Sequence, residues 1–194
     1  MNYIVSKVLD FITEQNVISN KEEVQDFYRY GIEISISSLL NIILVVAVGF
    51  IIHHVLESLI FLSIFILIRS FTGGYHADTY LRCNMLMCVT FILTVFLNLI
   101  TSNIITIPIV IGFVCFNVIT VLVLGPVENK NKPIEHFKKI KLKIIGLIVT
   151  LIINYVGILF IRSYIGTMII FTSFLIAILM FAAIIKEKPA KKNQ

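Results

Sequence analysis

The apolar residues of this chain fall into long runs, and its charges are confined to the gaps between them. Hydrophobic residues make up 58% of the sequence and charged residues 14%, against roughly 25% charged in a soluble domain. That leaves too little charge to coat a water-facing surface, so lipid must cover the rest. In lipid every backbone N–H and C=O has to be satisfied internally, which runs of this length achieve as helices. The expected fold class is therefore an all-α polytopic membrane protein.

Residues 34–52 are long enough to span, since about 20 apolar residues suffice. The next run, 55–68, is ambiguous. Glu57 and Arg69 bracket it, and the residues between them rise only ~17 Å as helix against a hydrocarbon core of ~30 Å. Either it extends back through His53 and His54, or it is short and ends below the headgroups. Both options keep Arg69 near the membrane. Further spans are expected over 84–99, 104–124, 144–161 and 164–185, with Pro108 near the start of the second of these and Gly125-Pro126 ending it. This gives six spans; a four-span arrangement with two re-entrant segments is the alternative. Asn117 and Asn154, inside spans, are expected to hydrogen-bond between helices.

The net charge of +5 does not point to nucleic acid, because the cations sit between apolar runs. All but one of the sixteen lysines and arginines fall before the first span, in 69–83, in 125–143 or in the tail; only Arg162 lies in the opposite connections. By the positive-inside rule both termini, the 69–83 stretch and the lysine segment face the cytoplasm, next to anionic lipid. The single membrane domain then divides into cytoplasmic-face amphipathic helices (1–31), a transmembrane bundle (32–185) and a basic tail (186–194). Residues 3–15 place Ile4, Val5, Val8, Leu9 and Ile12 on one helical face, an interfacial pattern. Ser19-Asn20-Lys21-Glu22 reads as a capping box opening a second short helix through Tyr30. The first 31 residues are too polar for a signal-peptide core.

One stretch carries chemistry: Arg69-Ser70-Phe71-Thr72-Gly73-Gly74-Tyr75-His76-Ala77-Asp78-Thr79-Tyr80-Leu81-Arg82-Cys83. A cysteine peptidase needs a thiolate and a nearby imidazole that takes the thiol proton and returns it to the leaving amine. His76 and Cys83 supply the pair, Arg69 or Arg82 the cation that favours the thiolate, and Gly73-Gly74 room for a substrate backbone. On a straight helix His76 and Cys83 share a face but stay ~10.5 Å apart, too far for a direct hydrogen bond. The backbone must bend near 73–80, or the substrate or a second copy must complete the site.

Other candidates weigh less. Cys88 and Cys115 read as small apolar packing residues, and three cysteines imply no disulfide framework. His53 and His54 read as turn residues beside Glu57, and His136 as solvated among lysines. No metal or cofactor is expected, for want of a ligand spacing. Asp78 could orient His76, although residues two apart do not face each other on a helix. Glu33, at the inner end of the first span, is costly there unless paired; Arg69 is its natural partner.

The arginine followed by Gly73-Gly74-Tyr75-His76-Ala77 and Arg82-Cys83 resembles the accessory gene regulator B family. Tyr30-Gly31-Ile32-Glu33 and Gly125-Pro126-Val127-Glu128-Asn129-Lys130-Asn131-Lys132-Pro133 reinforce the likeness, which covers roughly residues 27–190. The resemblance implies an endopeptidase of the bacterial cell membrane that matures a quorum-sensing pro-peptide of the D class (AgrD). Cys83 would be the nucleophile, His76 the matching histidine, and Arg69 a family arginine of less certain role. The acyl-enzyme thioester would pass to an internal cysteine or serine of the peptide, closing a thiolactone or lactone. An acidic substrate tail would dock on Lys130, Lys132, Lys138, Lys139, Lys141 and Lys143, which topology and lipid contact also explain. A homodimer is the implied assembly. The competing classes are a small transporter, for which intramembrane charge is sparse, and a non-catalytic assembly protein.

Overall fold

The computed structural model describes residues 2–14, 22–73, 80–101, 104–127 and 136–190. They form seven helices: α1 (Asn2–Glu14), α2 (Glu22–Ile51), α3 (Val55–Thr72), α4 (Tyr80–Thr101), α5 (Ile107–Leu124), α6 (His136–Leu159) and α7 (Tyr164–Ala190). No strand occurs among the described residues. Six helices are long and apolar enough to cross a membrane, in agreement with the count of apolar runs.

The chain separates into two units, Met1–Leu44 and Val45–Gln194. In the first, α1 and the start of α2 line an apolar groove with Val8, Tyr28, Gly31, Ile32, Ser35 and Ile36. The second short helix expected through Tyr30 is not separate. One helix runs from Glu22 to Ile51, because a glycine such as Gly31 lowers helix propensity by only about 1 kcal/mol and no proline lies between residues 22 and 51. Ser19 and Asn20 of the expected capping box lie outside the described residues.

In the second unit the ambiguous run is settled by forward extension. His53 turns the chain with φ 59, and the Nδ1 of His54 lies 2.9 Å from Glu57 Oε1 in the first turn of α3. The helix then continues past Arg69 to Thr72. Its 18 residues rise ~27 Å, close to the hydrocarbon thickness. Arg69 does not end the span because a long cationic side chain can reach the interface from within the last turn.

α7 is the central helix, packed on α3, α4, α5 and α6. Phe61 and Phe65 of α3 and Phe91 of α4 form the aromatic heart of the core, with Phe61–Phe91 ring centroids 5.4 Å apart. Close approach of the helices needs small residues. A Cβ on Gly157 would lie 2.7 Å from Ile170 Cδ1, and one on Gly49 would lie 2.7 Å from Ser58 Cβ.

The interhelical amide is not one of those expected. Asn154 donates to Thr150 O of its own helix at 2.8 Å, and the buried Asn117 amide finds no hydrogen-bond partner among the described residues. Asn98 makes the cross-link instead. Its Nδ2 donates to Tyr164 O at 3.0 Å, and its Oδ1 accepts from the Thr167 hydroxyl. Of the two span cysteines, Cys88 packs against the core as expected, whereas Cys115 is exposed on the outer surface of α5.

Candidate active site

The stretch read as chemical divides between two helices. Arg69 to Thr72 form the last turn of α3, and Tyr80 to Cys83 the first turn of α4. Gly73 ends α3. Its φ is +70°, a backbone conformation that other L-residues rarely adopt, and its N–H donates to Arg69 O at 3.0 Å.

This division brings Arg69 to Cys83. The guanidinium is within hydrogen-bonding reach of the half-buried thiol. It also stands 5.2 Å from the centroid of the Phe65 ring, one turn back on α3, which steadies the cation from its other side. A further influence was not anticipated from the sequence. Cys83 lies in the first turn of α4, where the helix dipole favours negative charge. The sequence signal for it was the apolar run resuming just after Cys83.

Gly74, His76 and Asp78 lie outside the described residues, as do Lys130 and Lys132. Arg82 sits beside Cys83 on an exposed stretch of α4. Glu33 has its carboxylate 3.6 Å from Arg29 Nε, one helical turn back. Among the described residues no cluster of three or more His, Cys, Asp or Glu side chains is disposed to hold a metal.

Two features bear on the basic segment. The stretch 125–143 is not wholly loop: α6 begins at His136, so Lys138, Lys139, Lys141 and Lys143 stand on its first turns. Likewise the tail continues as helix to Ala190. Continuation of the apolar 144–159 run explains the early start of α6, since Phe137 and Ile140 extend the face that continues at Ile144. Lysines in a first turn oppose the helix dipole, by about 0.3–1 kcal/mol each at low salt. Helix stability therefore does not account for them.

The glycine of the chemical stretch also meets the Gly125-Pro126 segment. Val127 N–H donates to Thr72 O at 2.9 Å, and Gly73 pairs with Val127 in a parallel bridge. A Cβ on Gly73 would fall 2.3 Å from Val127 O. From another direction, α6 approaches the same turn at Gly146, where a Cβ would lie 3.1 Å from Thr72 Cγ2.

Comparison with known proteins gives a consistent result. The family model described as accessory gene regulator B matches residues 5–191. A putative AgrB-like protein 2 of Clostridium perfringens strain 13 is 33% identical over 126 residues, covering 61% of this chain and 58% of that protein. The putative AgrB-like protein of Lactiplantibacillus plantarum is 24% identical over 169 residues, covering 86% of this chain and 80% of its own. The accessory gene regulator protein B of Staphylococcus haemolyticus is 23% identical over 160 residues, covering 82% and 84%. The chain thus spans somewhat over half the length of the Clostridium relatives and most of the other two. No solved structure matches it.

Proposed function

Because this chain belongs to the accessory gene regulator B family, we propose that it takes part in quorum sensing as a membrane cysteine endopeptidase maturing an AgrD-type pro-peptide. The observation that carries this reading is the Arg69 guanidinium within hydrogen-bonding reach of Cys83.

The chemistry follows from that arrangement. Arg69 and the α4 terminus stand beside the negative charge that develops on the Cys83 sulfur. His76 takes the thiol proton, and the sulfur attacks a peptide carbonyl near the C-terminal tail. As the C–N bond breaks, the imidazolium gives its proton to the leaving amine. The product is an acyl-enzyme thioester. An internal thiol or hydroxyl of the peptide, its proton passing back to His76, then attacks that thioester, frees Cys83 and closes a thiolactone or lactone. Exchanging one thioester for another is close to isoenergetic. Neighbouring spans limit the water that would hydrolyse the intermediate. Gly73 and Gly74 leave the substrate backbone room to approach, and Asp78 orients His76.

The lysines of 130–143 and the lipid around them offer a docking surface for an acidic tail. A peptide bound to the same membrane is also concentrated in the plane of the enzyme. In this reading the site and both termini face the cytoplasm, and two copies associate.

The test is cleavage of a synthetic AgrD-type peptide by the chain reconstituted in liposomes. Cys83→Ala and His76→Ala should each abolish release of the tail, with protein level and fold unchanged. Full cleavage by Cys83→Ala would show that another group, or no group of this chain, does the chemistry.

A further inference from the structure

Beyond the residues that react, the contact between Gly73 and the 125–127 segment stands out for being made by main chain alone. The Val127 N–H donates to Thr72 O at 2.9 Å. The bridge leaves no space for a side chain at position 73, where a Cβ would sit 2.3 Å from Val127 O. Gly73 N–H donates in turn to Arg69 O. Hydrogen bonds thus link Val127 to the turn of α3 that presents the guanidinium to Cys83. At its other end the segment is fixed by Gly125, whose N–H donates to Val121 O at 3.0 Å. The turn is closed on a further side by α6 at Gly146.

The proposed reaction gives Val127 no role, and its side chain is only half-buried. We infer that Val127 is a positioning residue acting through its backbone amide: the 125–127 segment is a strap that fixes the last turn of α3, and with it Arg69, against the nucleophile. The inference rests on the peptidase reading. It gives the Gly125-Pro126-Val127 block a place in the site, although that block lies far from Cys83 in sequence. It also means that the lysine-bearing stretch following Val127 departs from a point tied to the catalytic segment.

Replacing the Val127 amide with an ester in the full chain, reconstituted in liposomes, removes that single donor and keeps every side chain. With the synthetic AgrD-type peptide, kcat per folded molecule should fall about two- to tenfold, the scale of one hydrogen bond, with KM within about twofold of the parent. Val127→Ala retains the amide and should keep the parent kcat. Gly73→Ala should lose more than the ester. An ester with parent kcat overturns the inference. So does a Val127→Ala as damaging as the ester, or an ester that lowers thermal stability alone. If the parent itself leaves the peptide uncut, the peptidase reading fails separately. The strap is then read from the alkylation rate of Cys83 by iodoacetamide, in a chain carrying Cys88→Ala and Cys115→Ala. There the ester should change the rate and Val127→Ala should not; an unchanged rate overturns the inference.

Discussion

The two ends of the α3–α7 bundle both carry polar groups, and they are built on opposite principles. At the Tyr164 end, Asn98 and Thr167 are buried and neutral and answer each other's hydrogen bonds together with Tyr164 O, and Glu57 is matched within its own turn by His54. Such a network joins α4 to α7 and asks for nothing further. At the Arg69 end a full charge lies beside a half-buried thiol, an aromatic face and a positive-φ glycine. A charge at the edge of a span is costly and is retained where it has work to do. The contrast separates polar residues that hold the bundle together from polar residues that the proposed chemistry would use.

The sharpest way to break this contrast is at Cys83. Cys83→Ala should reduce pro-peptide cleavage below about one-thousandth of the parent, as removal of a nucleophile does, while thermal unfolding in detergent stays within about 0.5 kcal/mol. A large loss of stability with residual cleavage would move Cys83 into the structural class. Arg69→Gln comes next. Losing one positioned electrostatic partner should lower kcat about a hundredfold, and Arg69→Lys should recover only part, because a compact ammonium does not reproduce the guanidinium fork. Equal activity of Arg69→Gln and parent, measured on folded protein, would leave the α4 terminus as the thiolate's main support.

Much of this was legible in the sequence, and the failures have physical causes. Run length and charge asymmetry are one-dimensional properties, so the six spans could be read directly. A charge ends an apolar run, so run length alone puts a boundary at Arg69, yet its guanidinium packs beside Phe65 and Cys83 and α3 runs on to Thr72. Asn117 and Asn154 could be seen to lie in spans, but composition does not say which helix each side chain faces. The bond fell instead to Asn98, which meets α7 near its first residue. Gly31 and Gly73 look alike as letters. One has nothing near its missing Cβ and sits inside a helix, while the other lies against Val127 O and ends one. Within the site, Cys83 and Arg69 were both picked out, but their meeting depended on where α3 stops and α4 starts.

The Tyr164 end supplies the next prediction, of intermediate size. Asn98→Leu removes the hydrogen bonds that tie α4 to Tyr164 O and Thr167, whose hydroxyl keeps Tyr164 O of its own helix as acceptor, and should destabilise the fold by about 1–3 kcal/mol. Adding Thr167→Val should cost little more, because the cross-helix bond is already gone and the hydroxyl's remaining bond is within its own helix. Both variants should cleave pro-peptide at the parent rate per folded molecule, judged by kcat on the size-exclusion monodisperse fraction. A specific loss of kcat would mean that the two ends are coupled through α7, and the division into structural and chemical polarity would fail.

The smallest expected effect asks how far the chemical region extends. Lys138, Lys139, Lys141 and Lys143 occupy the first turns of α6, and the helix dipole disfavours Lys138 and Lys139 in the first of them. If an acidic tail docks there, replacing all four with Gln should raise KM about three- to tenfold at low salt and leave kcat alone, since rim charges act mainly on encounter. The difference from the parent should shrink as ionic strength rises and the Debye length falls to about 8 Å or less. A peptide with a neutral tail should not distinguish the two proteins. If KM is unchanged at every salt concentration, these lysines serve topology and lipid contact, and the chemical region ends at the Val127 strap. If kcat falls instead, the start of α6 is part of the frame that Gly146 packs against the Thr72 turn, and the lysine face belongs with the positioning machinery.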